Sequence, residues 1–244
     1  RTATATVVGA ALALAGAVMQ NVLRNPLASA STLGVSQGAA FGAALAITFF
    51  HAGIGTDGNL GAALTVTSPA VVTVFAFVFG VASGAVILAL SLVTRISSAT
   101  MILSGIALGA MFTGGTAIIQ YFADDIKVAS IVYWTFGDLG RTGWTQIGAM
   151  AAALAVAFVY FYRNAWNYNA LANGTYTAKS LGVPVNVVLI VGMLVSCLLS
   201  SLAVAFVGTI GFVGLIAPHL ARRFTGSNHR YLLIRTLAVA QIIL

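Results

Sequence analysis

The side chains that could act on a solute are few, and the most regular group follows one face of an apolar segment. Within residues 100–122, small and polar residues recur at intervals of four, four, three and four, as they do on one face of an α-helix. They are Gly105, Gly109, Thr113, Thr116 and Gln120. Small residues at this spacing let helices pack closely in lipid. The hydroxyl and amide groups also suit a smooth, neutral pathway, and we predict that these residues line one.

Similar spacing recurs in the three preceding apolar segments. The residues are Gly9, Ala13, Gly16 and Gln20; Gly34, Gly38 and Gly42; and Ala76, Gly80 and Gly84. Close helix packing accounts for most of these stripes. Gln20 carries an amide, and we assign it to the predicted pathway as well.

Other kinds of chemistry find little support in the sequence. The three histidines, His51, His219 and His229, lack metal-ligand spacing, Cys197 stands alone, and no glycine-rich loop is followed by Lys-Ser or Lys-Thr. The apolar segments hold no deep acid or base of the kind that coupled carriers use as ion ligands or proton relays. We therefore predict no catalytic, metal-binding or cofactor-binding residue, and no enzyme.

The composition places these residues in a membrane. Of 244 residues, 60% are hydrophobic and 6% charged, and the mean hydropathy is +1.03, whereas a soluble domain has about 25% charged residues. Because backbone groups in lipid must pair internally and the apolar runs are long, we predict an all-α polytopic membrane protein with a single transmembrane domain, 1–244. The net charge of +7 is dispersed between apolar runs, which argues against nucleic-acid binding.

Eight membrane segments are expected. They cover about 2–22, 33–50, 69–94, 100–122, 145–162, 185–207, 210–221 and 231–244. Eight of the eleven cations then lie on one side: Arg24, Arg95, Arg163, Lys179, Arg222, Arg223, Arg230 and Arg235. By the positive-inside rule this side is cytoplasmic, and Arg1, Lys127 and Arg141 are external. The first segment then runs inward, which implies a preceding helix and a chain that is a fragment.

Three regions depart from a plain bundle. The seventh segment has about 12 residues, or about 18 Å of helix, too short for a hydrocarbon core of about 30 Å, so the chain there must line a cavity. Residues 124–144 are predicted to form an external interfacial helix. Residues 163–184 are predicted to form a cytoplasmic loop with two short helices, divided by the turn Asn173-Gly174.

The sequence resembles the FecCD-type permeases, which are membrane subunits of ABC importers. The resemblance rests on the blocks GAALALAGAVMQNVLRNPLASASTLGVSQGAAFGA, ILSGIALGAMFTG, YWTFGDLG with a later Trp, AKSLGV and GTIGFVGLIAPHLARR. These blocks occur in the family's order over essentially the whole chain. The resemblance implies a type II fold of ten helices, of which this chain would hold helices two to nine.

The resemblance also implies roles for particular residues. It implies a cytoplasmic gate of Asn25, Pro26, Leu27, Ser97, Ser98, Ala99 and Thr100. It implies contact with an ATPase through Ala170, Leu171, Asn173, Gly174, Ala178, Leu181 and Gly182, and docking of a binding protein at Arg1. Pro26 would stiffen the gate, because proline fixes its own φ and restricts Asn25.

The function implied is ATP-driven import by alternating access in the cytoplasmic (inner) membrane. The expected partners are a second permease subunit, two ATPase subunits that carry the ATP and magnesium, an extracytoplasmic substrate-binding protein and lipid. The expected cargo is a bulky metal chelate, an iron-siderophore or haem, with cobalamin as an alternative. An ion-coupled secondary carrier is a second hypothesis, which the lack of intramembrane charge disfavours. An intramembrane enzyme is a third, and it lacks a nucleophile with its base.

Overall fold

The computed structural model describes residues 1–50, 52, 54–55, 65–66, 69–94 and 98–244, and this part of the chain is almost entirely helical. The helices are α1 Thr2–Val22, α2 Val35–Phe49, α3 Pro69–Thr94, α4 Ser98–Phe122, α5 Asp125–Thr135, α6 Trp144–Arg163, α7 Ala165–Ala172, α8 Thr175–Ser180, α9 Val185–Val207, α10 Val213–Thr225 and α11 His229–Ile243. Between α2 and α3, the two-residue strands β1 (Ile54–Gly55) and β2 (Thr65–Val66) pair antiparallel, with Ile54 opposite Val66.

Each predicted membrane segment corresponds to one helix, which confirms the all-α fold. Among the described residues, five helices have the length and hydropathy of a membrane span: α1, α3, α4, α6 and α9. Helix α2 is apolar but has 15 residues. Helix α10 has 13 residues, or about 20 Å of helix, and follows a non-helical stretch in which Gly208 and Phe212 have positive φ. The short seventh segment predicted from the sequence is therefore present, although it begins three residues later.

Helix α1 is the centre of the bundle. It packs against α6, α9, α10 and α11, and 72% of its apolar window is buried, compared with 22% for α4 and 17% for α6. A second layer places α2 between α3 and α4. Helices α4 and α6 therefore form the periphery, and their outward apolar side chains face lipid or another protein.

The glycine stripes of α1, α2 and α3 are packing surfaces. A Cβ atom on Gly16 would overlap the carbonyl group of Gly214 in α10, and one on Gly42 would overlap the carbonyl oxygen of Phe75 in α3. On α3, a Cβ on Gly84 would lie 2.6 Å from Sγ of Cys197 in α9. Each contact brings two helices closer than side chains would allow, which is the packing that small residues permit in lipid.

Candidate functional site

Three of the predicted pathway residues meet in one cleft. Thr113, Thr116 and Gln120 of α4 face the start of α2 and the non-helical stretch before α10 across a space of about 420 Å³, which we call the polar cleft. The polar cleft is lined by Ser31, Ser36, Gln37, Ala40, Thr113, Thr116, Ala117, Gln120, Thr135, Thr209, Ile210 and Gly211. None of these lining residues carries a charge, so the cleft offers hydroxyl, amide and apolar surface to a solute.

The hydroxyl groups in the cleft are held by their own helix. Thr113 donates to the carbonyl oxygen of Gly109 at 2.9 Å, and Thr116 donates to that of Phe112 at 2.9 Å. Because their protons are engaged, these hydroxyls present lone pairs to the cleft. The side-chain oxygen of Gln37 is buried and has no hydrogen-bond partner in the described structure. The hydroxyl oxygens of Thr113 and Thr116 thus give the cleft wall hydrogen-bond acceptors at fixed positions.

The other predicted pathway residues lie elsewhere. Gly105 is buried, and a Cβ there would approach the oxygen of Thr32 at 2.5 Å and Cα of Leu33 at 2.8 Å. Gly109 lies beside Gly34 in the same contact. Gly105 and Gly109 therefore both pack α4 against the chain that precedes α2. Gln20 is 3% exposed and lies outside the polar cleft. Its amide donates to the oxygen of Leu215 at 3.3 Å and accepts a hydrogen bond from Arg222.

Gln20 belongs to a second cavity, which we call the basic pocket. This space of about 380 Å³ lies where the end of α1 meets α7, α10 and α11. The basic pocket is lined by Gln20, Asn21, Arg24, Asn25, Pro26, Ala172, Arg222, Ser227 and His229. The sequence alone did not predict this pocket, because its members come from distant parts of the chain, such as Gln20 and Arg222, which are 202 positions apart.

The described gate residues do not all line one cavity. Asn25 and Pro26 line the basic pocket, whereas Leu27 is 63% exposed. The Oδ1 atom of Asn25 accepts a hydrogen bond from the backbone N–H of Leu27 at 2.8 Å, which fixes the turn. Ser98, Ala99 and Thr100 form the first turn of α4, and no described residue of α4 lines the basic pocket. The seventh predicted gate residue, Ser97, lies outside the described residues.

The predicted ATPase-coupling residues divide into two faces. Ala170 and Leu171 in α7 and Ala178 in α8 are buried against the bundle. Asn173, Leu181 and Gly182 are exposed, and Gly174 starts α8 with φ of +117°. Two further exposed side chains of α7 and α8 were not among the predicted coupling residues: Trp166, which is 70% exposed, and Tyr176, which is 88% exposed. The sequence did contain an indication of these two residues, because both are large aromatic side chains within the predicted cytoplasmic loop.

Arg1, the residue predicted to dock a binding protein, is exposed beside the connection between α5 and α6. A Cβ on Gly140 would lie 2.9 Å from Nε of Arg1 and 3.1 Å from Oδ1 of Asp138, so the three groups are neighbours. The Thr4 and Thr142 hydroxyls share a hydrogen bond of 2.9 Å, which ties the start of α1 to this connection. In the same region, the guanidinium group of Arg141 lies over the rings of Tyr133 and Trp134.

His229, at the start of α11, is held neutral by its surroundings. Its side chain is 2% exposed, its Nδ1 lies 3.0 Å from Oδ1 of Asn169, and its ring packs beside Tyr168. Burial and the charge of Arg222 lower the pKa of His229 from 6.5 to about 4, against a smaller opposing effect of the Ser227 backbone. This histidine therefore remains uncharged at neutral pH.

The low pKa of His229 predicts a loss of stability in acid. Between pH 6.5 and pH 4 the unfolded chain takes up a proton that the folded chain does not, so stability falls as the pH falls through this window. The two pKa values differ by about 2.5, which corresponds to about 3 kcal/mol. We expect His229→Asn to lose this part of the pH dependence, as measured by the melting temperature in detergent between pH 4 and pH 7. The exposed His219→Asn is the control, and equal acid sensitivity of both variants would contradict the assignment.

Comparison with known proteins connects this geometry to a family. The family model described as the FecCD transport family matches residues 1–244. The chain belongs to the FecCD transport family. A protein of Methanocaldococcus jannaschii, provisionally named an ABC transporter permease, is 49% identical over 225 residues, which are 92% of this chain and 64% of the relative. The hemin transport system permease protein of Yersinia pestis is 34% identical over 229 residues, which are 94% of this chain and 66% of that protein.

A solved structure extends the similarity to the fold. It is described, with a provisional assignment, as an inward-facing conformation of a metal-chelate type ABC transporter. It matches this chain with a TM-score of 0.86 at 32% identity, over 100% of this chain and 73% of the other. The chain spans about two thirds of the length of the two curated relatives described above. Family membership and five apolar spans together make it a multi-pass membrane protein.

Proposed function

We propose that this member of the FecCD transport family is a permease subunit of an ATP-driven importer in the cytoplasmic membrane. The observation that carries the proposal is the helix pair α7–α8. Its inner residues are buried against the bundle, whereas Trp166, Tyr176 and Leu181 expose large apolar side chains beyond the spans. A surface of this kind marks a contact with another protein or with the membrane, and we assign it to an ATPase subunit, which would carry the ATP and magnesium.

The remaining parts of the assembly follow from the same proposal. A second permease subunit would pack against this one, and an extracytoplasmic binding protein would dock at the face that holds Arg1. The polar cleft would form part of the solute pathway in each subunit. This chain would change no covalent bond, and movement of the cytoplasmic gate would be driven by ATP binding on the partner.

We propose that the cargo is a bulky metal chelate, such as an iron-siderophore or haem. The support is the neutral lining of the polar cleft, which holds no fixed charge to retain a metal ion or bind a small ion tightly. The hemin permease of Yersinia pestis, similar over 94% of this chain, is consistent with such a cargo. Cobalamin fits the same lining. A competition assay, in which an iron-siderophore, haem and cobalamin compete for the cognate binding protein, would show which of the three is the cargo.

Reconstitution tests the proposed function directly. The full-length permease, its ATPase and its binding protein are placed in proteoliposomes, and uptake of haem, a ferric siderophore and cobalamin is measured. We expect uptake of one of them only with ATP and the binding protein. Uptake that follows a proton or sodium gradient without ATP would instead identify an ion-coupled carrier.

The proposed gate predicts a change in accessibility at position 27. Leu27 is 63% exposed on the turn after α1. In Leu27→Cys, we expect the rate of labelling by a membrane-impermeant thiol reagent on the cytoplasmic side to differ by about fivefold or more between nucleotide-free and ATP-trapped importer. The native Cys197 is buried and gives little background. Arg223→Cys, on an exposed position of α10, is the control, and equal rates at position 27 in both states would show that the turn is static.

A further inference from the structure

The basic pocket combines positive charge with a lack of acidic partners. Arg24 and Arg222 both line it, and none of its described lining residues is acidic. Three of the four acidic residues of the chain, Asp124, Asp125 and Asp138, lie instead in or beside α5. The fourth, Asp57, is outside the described residues. Two guanidinium groups beside one cavity therefore lack a counter-charge there.

The two arginines are positioned in different ways. Arg222 is partly buried and donates a hydrogen bond to the buried side chain of Gln20. Arg24 adopts a left-handed backbone conformation, with φ of 47°, which is unfavourable for a residue with a side chain. A Cβ on Gly174 would lie 3.8 Å from Nη2 of Arg24, so this guanidinium extends toward the turn between α7 and α8. A partly buried cation with no counter-ion is costly, and an anion in the pocket would offset that cost.

The pocket also has two buried hydrogen-bond acceptors that receive no hydrogen bond, one on His229 and one on Asn21. The state of the His229 ring follows from its neighbour Asn169. Asn169 Oδ1 accepts from the backbone N–H of His229 at 2.7 Å, and its Nδ2 donates to Asn228 Oδ1 at 3.1 Å, which fixes the orientation of this amide. Nδ1 of His229 therefore donates to Asn169, and Nε2 is left as an acceptor. Nε2 of His229 and Oδ1 of Asn21 have no hydrogen-bond partner in the described structure, and the two residues are 2% and 7% exposed.

These features specify an unusual ligand. It must carry negatively charged oxygens for Arg24 and Arg222, and also a hydroxyl group that donates to His229 or Asn21. Hydrogen phosphate has both properties, and so does the monoanion of a phosphate monoester, in which one oxygen keeps its proton, whereas sulfate at neutral pH has the oxygens but no hydroxyl. A carboxylate on a partner protein also lacks the donor. Buried donors and acceptors left unpaired weaken binding, so the pocket should distinguish these anions.

We propose that the basic pocket binds a protonated phosphate group, with its charged oxygens on Arg24 and Arg222 and its hydroxyl on His229 or Asn21. The group is either free phosphate or the headgroup of a phosphomonoester lipid. Because Asn25 and Pro26 line the same pocket, an occupant would also hold the turn after α1 against α7 and α10. Control of transport by this contact would rest on the proposed function, whereas the binding itself does not.

The binding test uses the full-length permease in nanodiscs of neutral lipid, without ATPase or cargo. Radiolabelled inorganic phosphate is the probe, at constant ionic strength and neutral pH. We expect saturable binding that unlabelled phosphate displaces at least about tenfold more effectively than sulfate. Because neither ATP nor a chelate is present, failure of this experiment leaves the transport proposal untouched. Absence of saturable binding, or equal displacement by sulfate, would overturn the assignment.

Paired variants locate the site. Arg24→Gln removes one charge from the pocket at an exposed position, so it should fold normally and weaken phosphate binding about tenfold or more. Arg223→Gln removes the same charge from the exposed neighbour of Arg222, which does not line the pocket, and should change binding less than about twofold. Equal losses in the two variants would show that only diffuse positive charge is involved.

Adding anionic lipids to the nanodiscs distinguishes the two possible ligands, free phosphate and a phosphomonoester lipid headgroup. Phosphatidic acid in the nanodisc should compete with radiolabelled phosphate in the wild type if the headgroup enters the pocket, and this competition should disappear in Arg24→Gln. If phosphatidic acid has no effect while phosphate still binds saturably, the ligand is the free anion. Competition of equal strength from phosphatidylserine, whose phosphate is a diester, would contradict the requirement for a phosphate hydroxyl.

Discussion

Gly16→Ala is expected to prevent the central helix of the bundle from packing against α10. A Cβ at position 16 would lie 2.6 Å from the carbonyl carbon of Gly214 and 2.8 Å from its Cα, and it would overlap the carbonyl oxygen. The obstacle is backbone, so no side-chain rotation relieves it. Overpacking usually costs about 1–3 kcal/mol, and we expect at least the upper end, about 3 kcal/mol. The measurements are the yield of monodisperse protein in detergent and its melting temperature.

Gly148→Ala is the matched control for this change. It adds the same methyl group in α6, where no described atom beyond the adjoining helix backbone lies within 4 Å of the new Cβ. Alanine favours a helix over glycine by up to about 1 kcal/mol, so the melting temperature should stay the same or rise slightly. Similar behaviour of the two variants would show that α1 and α10 are not in close contact in the folded protein.

If α7–α8 is the ATPase-binding surface as proposed, Leu181→Asp is expected to separate the permease from the ATPase subunit while leaving the permease folded. Leu181 follows α8, and its side chain is 58% exposed, so a carboxylate there stays in water and costs the fold little. In the assembly the same carboxylate would be buried in an apolar contact without a partner, which is strongly unfavourable. We expect ATP-dependent uptake and co-purification of the ATPase to fall about tenfold or more, with an unchanged melting temperature.

Leu181→Met is the control that distinguishes the effect of the new charge from the effect of changing the side-chain shape at this position. Methionine keeps an apolar side chain of similar volume, so this variant should retain uptake and ATPase binding. If Leu181→Asp binds its ATPase as tightly as the wild type, the outer face of α7–α8 is not the coupling surface. In that case Trp166 and Tyr176 would need another partner.

The sequence was sufficient for the features that depend on local composition and periodicity. Long apolar runs predicted the spans, since a helix in lipid needs about 20 apolar residues and pairs its own backbone groups. Asn173-Gly174 predicted the break between α7 and α8, and the short run before Arg222 predicted a helix too short to span. Each of these features is set by one continuous stretch of the sequence, so no tertiary contact was needed to find it.

Only the tertiary structure determined which helix faces pack and which face open space. Gly105 and Thr113 have the same periodicity on α4, yet Gly105 contacts the backbone of Thr32 and Leu33 while Thr113 faces the polar cleft. Likewise, Gln20 meets Arg222 across 202 positions of sequence, and His229 meets Asn169 across 60. Helical periodicity places side chains on a common face, but the neighbour of that face depends on how distant segments pack. The polar cleft and the basic pocket therefore became visible only in the folded chain.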